Sequence, residues 1–137
     1  MINLPTLWKE ECMTKKILIA EDKPDSLRLF RDILNGIGYL DLIEIDNGQA
    51  VFDQARQHKP DFIIMDIQLP GISGIDAIQQ IKQDENLKNI PILATSAFCM
   101  EHDLKLIKNS GCDDFIAKPF NVADFIQVIK KWLEQDC

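Results

Sequence analysis

The sequence predicts an α/β fold, a doubly wound parallel sheet of five strands built from five successive β-α units. Three observations carry this. Short apolar runs alternate five times with apolar residues at helical spacing, and such alternation implies a parallel sheet covered on both faces. The 137 residues suffice for one domain with a full core, and no internal repeat, low-complexity tract or linker divides them. Four of the runs end on polar residues, at the carboxyl edge where sheets of this kind bind ligands.

The elements follow in order. Residues 1–12 have no clear period and read as an extension outside the fold, with Met13 serving equally well as a start. The first strand is Ile17-Leu18-Ile19-Ala20, ending on Glu21-Asp22. Pro24 suits the opening turn of a helix, where its missing N–H would be unpaired anyway. Leu27, Phe30, Ile33, Leu34 and Ile37 recur at helical spacing before Gly36 and Gly38 close that helix. A second strand covers Leu40 to Ile45, and Asp46-Asn47-Gly48 turns into a weakly patterned helix (Val51, Ala55) that ends before Pro60.

Phe62-Ile63-Ile64-Met65 is a continuous apolar run, which reads as a buried strand carrying the backbone to Asp66 before the Leu69-Pro70-Gly71 loop. Ile75, Ile78 and Ile81 mark a third helix from about Gly74. Pro91 introduces Ile92-Leu93-Ala94-Thr95, which ends on Ser96-Ala97. Met100, Leu104 and Ile107 set a fourth helix, with Gly111 as its C′ residue. The last strand, Phe115-Ile116-Ala117, delivers Lys118-Pro119. Asn121 then caps a helix with Val122, Phe125, Ile126, Ile129 and Leu133 on its apolar face. Val128 and Trp132 lie off that stripe, as fringe packing or as part of a partner surface.

Composition narrows the function. A hydrophobic fraction of 46% and a charged fraction of 27% are those of a soluble globular protein. A formal net charge of -7 argues against direct nucleic-acid binding, which calls for a basic patch. No apolar run approaches bilayer length, and the first residues lack the apolar core of a secretion signal. Cys12, Cys99, Cys112 and Cys137 show no metal-site spacing and read as thiols in a reducing cytoplasm. His58 and His102 are isolated and receive no role.

At the strand ends stand Glu21, Asp22, Asp66, Ser96 and Lys118. Each alone has an ordinary explanation as a turn or a solvated charge. Together they form a set able to handle a phosphoryl group and a divalent cation. Two like charges about 4 Å apart repel by on the order of 4 kcal/mol at an effective dielectric of 20, so three clustered carboxylates call for a proton or a cation. Mg2+ answers that need with hard oxygen ligands and retained waters. Asp66 could then act as nucleophile, since carboxylates form acyl-phosphates, while Lys118 and Ser96 stabilise the transferring group.

With those residues in place, the sequence resembles the receiver domains of two-component response regulators, over roughly residues 14–135. The marks are Ile17 to Asp22, Met65 to Gly74 with Asp66 and Pro70, the Ala94-Thr95-Ser96-Ala97 run, and Phe115 to Phe120 with Lys118-Pro119. The resemblance implies a flavodoxin-like sheet of strand order 2-1-3-4-5, with residues 13–137 as the receiver domain. It implies a stand-alone phosphorelay protein rather than an enzyme, one that promotes only its own phosphorylation and dephosphorylation. Asp66 would accept the phosphoryl group from a phosphohistidine of a sensor kinase or histidine phosphotransfer protein. Asp22, Asp66 and the backbone carbonyl of Gln68 would hold Mg2+, or Mn2+ in its place, with Glu21 acting largely through water. Ser96 and Lys118 would contact the phosphoryl group, and Phe115 would occupy the aromatic switch position that responds to Ser96. The Lys118-Pro119 bond would be cis, as X-Pro bonds can be. The output surface would be the fourth helix, fifth strand and fifth helix, which would bind a protein target and can support a phosphorylation-dependent homodimer.

Small departures are visible. Glu21 stands where many relatives have Asp, Ser96 where many have Thr, and Phe115 where Tyr is frequent. Gln68 and Phe98 occupy the positions that tune phosphoryl lifetime, and Phe98 is expected to shield the acyl-phosphate from in-line water and slow its decay. A flavin- or nucleotide-binding protein of the same architecture would need a phosphate loop where Glu21-Asp22-Lys23-Pro24 stands. An aspartyl phosphatase would usually have an acid at Gln68. A receiver fold that has lost phosphotransfer, a pure binding module, would not need all five site residues.

Overall fold

The computed structural model describes residues 15–38 and 40–134. The expected extension over 1–12, the choice between Met1 and Met13, and Cys12 and Cys137 lie outside the described residues. Five strands, β1 (Lys15–Ala20), β2 (Leu40–Ile45), β3 (Phe62–Asp66), β4 (Ile92–Ser96) and β5 (Asp114–Ala117), form one sheet in the order β2-β1-β3-β4-β5. Every pairing is parallel. The helices are α1 (Pro24–Ile37), α2 (Gln49–His58), α3 (Gly74–Gln83), α4 (Glu101–Asn109) and α5 (Val122–Leu133). The predicted fold class and strand order are those of the structure.

The alternation of side chains along each strand explains the two cores. Leu18, Ala20, Ile63, Met65, Ile92 and Ala94 point to one face, against Val51 and Ala55 of α2, Ala77, Ile78 and Ile81 of α3, and Ile107 of α4. Ile17, Ile19, Phe62, Ile64 and Leu93 point to the other, against Phe30 and Leu34 of α1 and Phe125, Ile129 and Leu133 of α5. Residues at 62–66 and 92–96 are buried throughout, so these strands read as unbroken apolar runs rather than alternating ones. Phe30, Phe120 and Phe125 stack on one another, with ring centroids 5.0–5.6 Å apart, and fasten the β5–α5 loop to α1.

The helix ends follow their local chemistry. Pro24 opens α1, and Gly38 closes it at φ 87, its N–H donating to Leu34. The Asn121 side chain accepts from the N–H groups of Ala123 and Asp124, as an N-cap should. Gly111 follows α4 at φ 98.

Two expected apolar stripes need correction. On α4 only Ile107 is buried, while Met100 precedes the helix at 68% exposure and Leu104 is 40% exposed. A helix of nine residues at the sheet's flank touches the core along too short a line to cover all three. On α5, Val122 is the first residue of the helix and is 44% exposed, while Phe125, Ile129 and Leu133 are the buried ones. Val128 and Trp132 pack against the α1–α5 core. The Trp132 indole donates to Asp114 at 2.9 Å, so fringe packing describes them.

Candidate functional site

The carboxyl edge of the sheet gathers the polar residues because the strands end in step. Ala20 pairs with Met65, Asp66 with Thr95 and Ser96 with Ala117, which sets the ends of β1, β3, β4 and β5 side by side. The ladder continues one residue past these ends. Glu21 N–H donates to Ile45, Ile67 N–H to Thr95 and Lys118 N–H to Ser96, at 2.8–2.9 Å. The backbone beneath the site is therefore fixed by sheet hydrogen bonds. The site also lies where β1 and β3 adjoin while the chain runs outward to β2 and then back, the switch point at which such sheets bind ligands.

Asp66 closes β3 and is 1% exposed, and Glu21 is fully buried. Asp22 reaches solvent. The three carboxylates each offer an oxygen, and those oxygens lie within 4.8 Å of one another. Lys118 Nζ sits 2.5 Å from Glu21 Oε1 and 3.5 Å from Asp66 Oδ2. The other Glu21 oxygen accepts from Lys23 N–H at 3.2 Å. Glu21 is thus bonded at both oxygens. The Lys118–Pro119 peptide bond is cis, and Phe120 beyond it carries the chain back onto Phe30.

Burial pushes the Asp66 carboxyl up to about 6. A hydrogen bond with Glu21 and the Glu21 charge add to the rise, and Lys118 and the Gln68 N–H oppose it. Lys118 alone does not balance the cluster. The donor set therefore suits a small, hard divalent cation such as Mg2+, which prefers carboxylate and carbonyl oxygens. Glu21 is engaged more closely by Lys118 than Asp66 is, which leaves Asp22 and Asp66 as the better-placed carboxylate donors, and the Gln68 carbonyl follows two residues on.

Gln68 N–H donates to Asp66 Oδ1 at 3.1 Å. Its side-chain amide reaches across to Ser96 Oγ at 2.8 Å. Ser96 is fully buried, and its hydroxyl also bonds the backbone of Phe98, accepting from N–H at 3.0 Å and donating to the carbonyl at 3.2 Å. Phe98 itself is 60% exposed beside this network. A small void of about 30 Å³ lies between Ile67, Gln68, Ser96, Phe98, Leu106 and Ile107. Phe115 is half-buried against the α2–α4 side of the core, and it borders a groove of about 300 Å³ together with Leu104, Ile107, Lys108 and Cys112.

Glu21, Asp22, Asp66, Gln68, Ser96, Phe98, Lys118 and Pro119 therefore fall at or just past this edge, whereas Phe115 lies inside β5 opposite Ala94, two residues before the strand's end. Two features escaped sequence reasoning. One is Gly74, where a Cβ would meet the Asp66 carbonyl oxygen at 2.3 Å and Ile67 Cα at 2.6 Å, so the first residue of α3 packs directly on the backbone of Asp66. The other is the side-chain bond from Gln68 to Ser96. No local signal marks either, since both arise from segments brought together by the fold.

Comparison with known proteins agrees with the geometry. A family described as response regulator receiver domain matches residues 17–130. The polar-differentiation response regulator DivK of Brucella ovis is 43% identical over 121 residues, covering 88% of this chain and 98% of that protein. Among solved structures, the receiver domain of the sensor histidine kinase PA1611 of Pseudomonas aeruginosa, with a magnesium ion coordinated in its active-site cleft, superposes with a TM-score of 0.82 at 27% identity, over 88% of this chain and 98% of that one. The Mn2+-bound form of the response regulator Rcp1 gives a TM-score of 0.77 at 27% identity, over 88% and 96%.

Proposed function

The chain belongs to the response regulator receiver family, and from that premise we propose that it accepts a phosphoryl group on Asp66 from a phosphohistidine and so switches a protein-binding surface. The observation that carries this reading is the buried Asp66 at the tip of β3, with two further carboxylates and one ammonium converging on it.

In the transfer, an Asp66 oxygen attacks phosphorus, a P–O bond forms and the P–N bond to histidine breaks. The histidine leaves as neutral imidazole, having taken up one proton. Asp66 must be ionised to attack, and the Lys118 ammonium favours that form. Asp22, Asp66 and the Gln68 carbonyl would hold a divalent cation such as Mg2+, which when bound would supply charge neutralisation for the phosphoryl oxygens. Lys118 extends that neutralisation on the side away from Gln68, and Glu21 keeps its ammonium in place. Ser96 stands on the neighbouring strand, where its hydroxyl can donate to a phosphoryl oxygen once it leaves the Phe98 backbone. Phe98 limits the approach of water to the acyl-phosphate and slows its hydrolysis.

The partners that fit are a histidine kinase or histidine phosphotransfer protein on the input side and a protein target on the output side, in the cytoplasm. The output surface is the face of α4, β5 and α5, where exposed Leu104 and half-buried Phe115 border the groove described above. Among the described residues no helix is long and apolar enough to cross a membrane.

The test is incubation with Mg2+ and a small phosphodonor such as acetyl phosphate. Acid-labile phosphorylation that requires Mg2+ and disappears in Asp66→Asn is expected. A wild-type protein that takes no label under these conditions would falsify the reading.

A further inference from the structure

We propose that the Gln68 side chain is a latch that holds Ser96 away from Asp66, and thereby sets how readily the site enters its phosphoryl-bound conformation. The inference rests on the phosphoacceptor reading above and concerns the regulation of that same site.

A serine hydroxyl has one donor and two acceptor positions. In Ser96 all three are filled. It donates to the Phe98 carbonyl at 3.2 Å and accepts from Phe98 N–H at 3.0 Å and from Gln68 Nε2 at 2.8 Å. None of its bonds is to Asp66. For Ser96 to meet a phosphoryl group, this set must come apart.

The bonds differ in what they join. The two Phe98 contacts, at 3.0 and 3.2 Å, are to the backbone two residues along the same loop. Gln68 is half-buried and lines, with Ile67, Phe98 and Leu106, a small open pocket of about 30 Å³. An amide released there exchanges its bond to Ser96 for one to water, so that breaking the contact costs about the net worth of one neutral hydrogen bond. The Gln68 bond, the shortest of the three at 2.8 Å and the one that comes from a separate segment of the chain, is the restraint that ties the hydroxyl to the end of β3.

Gln68 is also placed to sense the acceptor. Its backbone N–H donates to Asp66 Oδ1 at 3.1 Å, while its side chain holds Ser96. One residue thus contacts the carboxylate that would be modified and the hydroxyl that would respond. A change in the charge and position of Asp66 Oδ1 pulls directly on the residue that restrains Ser96.

The experiment uses fluoroberyllate, a phosphoryl mimic that does not hydrolyse, at saturating Mg2+. Its affinity reports the conformational equilibrium separately from phosphoryl lifetime. Gln68→Met keeps the volume and the backbone carbonyl but removes the amide, and should tighten fluoroberyllate binding by about threefold to tenfold, the equivalent of one neutral hydrogen bond. In a Ser96→Ala background the same substitution should change affinity by less than about twofold, because the latch acts only through the hydroxyl. The Ser96 amide resonance of metal-loaded Gln68→Met should shift toward its fluoroberyllate-bound position before the mimic is added.

An unchanged or weakened affinity in Gln68→Met overturns the latch. So does equal tightening with and without the Ser96 hydroxyl, which would mean that Gln68 acts on the phosphoryl group directly. Wild-type protein that binds no fluoroberyllate overturns the phosphoacceptor reading itself, and the latch falls with it.

Discussion

The ammonium of Lys118 lies 2.5 Å from Glu21 Oε1, a full ångström nearer than its approach to Asp66 Oδ2. The first acid after β1 is therefore the anchor of the lysine as well as a member of the acidic cluster. Glu21 is fully buried, so it depends on this partner. Removing one half of a buried ion pair leaves the other charge uncompensated. Lys118→Met should lower stability by about 3 kcal/mol in metal-free buffer at pH 7. Saturating Mg2+ should restore part of that loss by neutralising the same cluster. Urea unfolding with EDTA and with Mg2+ checks both statements, and equal losses in the two buffers would show that Lys118 does not serve the carboxylates.

The raised Asp66 carboxyl fixes the sign of a pH effect. Its folded value of about 6 lies above the ordinary carboxylate value, so the folded protein holds the proton more tightly than the unfolded chain. This group's contribution to stability is fully present below about pH 4 and is lost as pH rises through about 6. Asp66→Asn should therefore be more stable than the parent protein in EDTA at pH 7, by on the order of 3 kcal/mol, and show little advantage at pH 4. Mg2+ and the proton compete for the same carboxylate. The rise in melting temperature on adding Mg2+ should be small at pH 5 and complete above pH 7, and Asp66→Asn should flatten that profile.

Much of this was legible because the physics that buries a strand on both faces also writes it as an unbroken apolar run. Phe62 to Met65 and Ile92 to Thr95 could be placed for that reason, and a polar residue ending such a run had to emerge at the sheet's edge. Asp66, Ser96, Lys118 and the Glu21-Asp22 pair were readable together because parallel strands put all their carboxyl ends on one side. What stayed hidden depended on tertiary contact. Spacing puts Met100 and Leu104 on the same helical face as Ile107, but only the sheet's width decides how far along that face the core extends. The direction of the Gln68 amide and the pairing of Lys118 with Glu21 are rotamer choices that sequence spacing does not encode.

Phe98 stands at the mouth of the site, 60% exposed and bonded through its backbone to Ser96. Its ring is a removable cover, because few core contacts depend on it. Phe98→Ala should leave the melting temperature almost unchanged and shorten the lifetime of phosphorylated Asp66 several-fold. The decay of radiolabelled protein after removal of the phosphodonor measures this. A wild-type phospho-form that disappears within seconds, with no further change in Phe98→Ala, would count against shielding.

Thr95 Oγ1 is buried and has no hydrogen-bond partner among the described residues. Thr95 lies beside Asp66 in register, on the opposite side of β4 from Ser96. A hydroxyl buried without a partner carries a desolvation penalty, and valine has nearly the same shape. Thr95→Val should stabilise the fold by about 1 kcal/mol with phosphorylation retained. Denaturant unfolding decides the sign, and destabilisation would indicate that an internal water satisfies the hydroxyl.

Gly74 links fold stability to the acceptor strand most directly. Its N–H donates to the Ile67 carbonyl at 2.9 Å, which draws the start of α3 onto the end of β3. A Cβ at this position would meet the Asp66 carbonyl oxygen at 2.3 Å and Ile67 Cα at 2.6 Å, both backbone atoms that cannot rotate aside. Either α3 moves outward or the tip of β3 moves inward. In the first case Ala77, Ile78 and Ile81 lose packing against the sheet, and in the second Asp66 shifts relative to Lys118 and Asp22. Overpacking of this kind costs about 1–3 kcal/mol. Gly74→Ala should therefore lower stability by that amount and also slow phosphorylation by acetyl phosphate. Ser73→Ala, one residue earlier, removes only the cap to Asp76 N–H and should cost about 1 kcal/mol while leaving the phosphorylation rate near that of the parent. If the two variants lose rate and stability in the same proportion, the close contact at Gly74 has no particular bearing on Asp66.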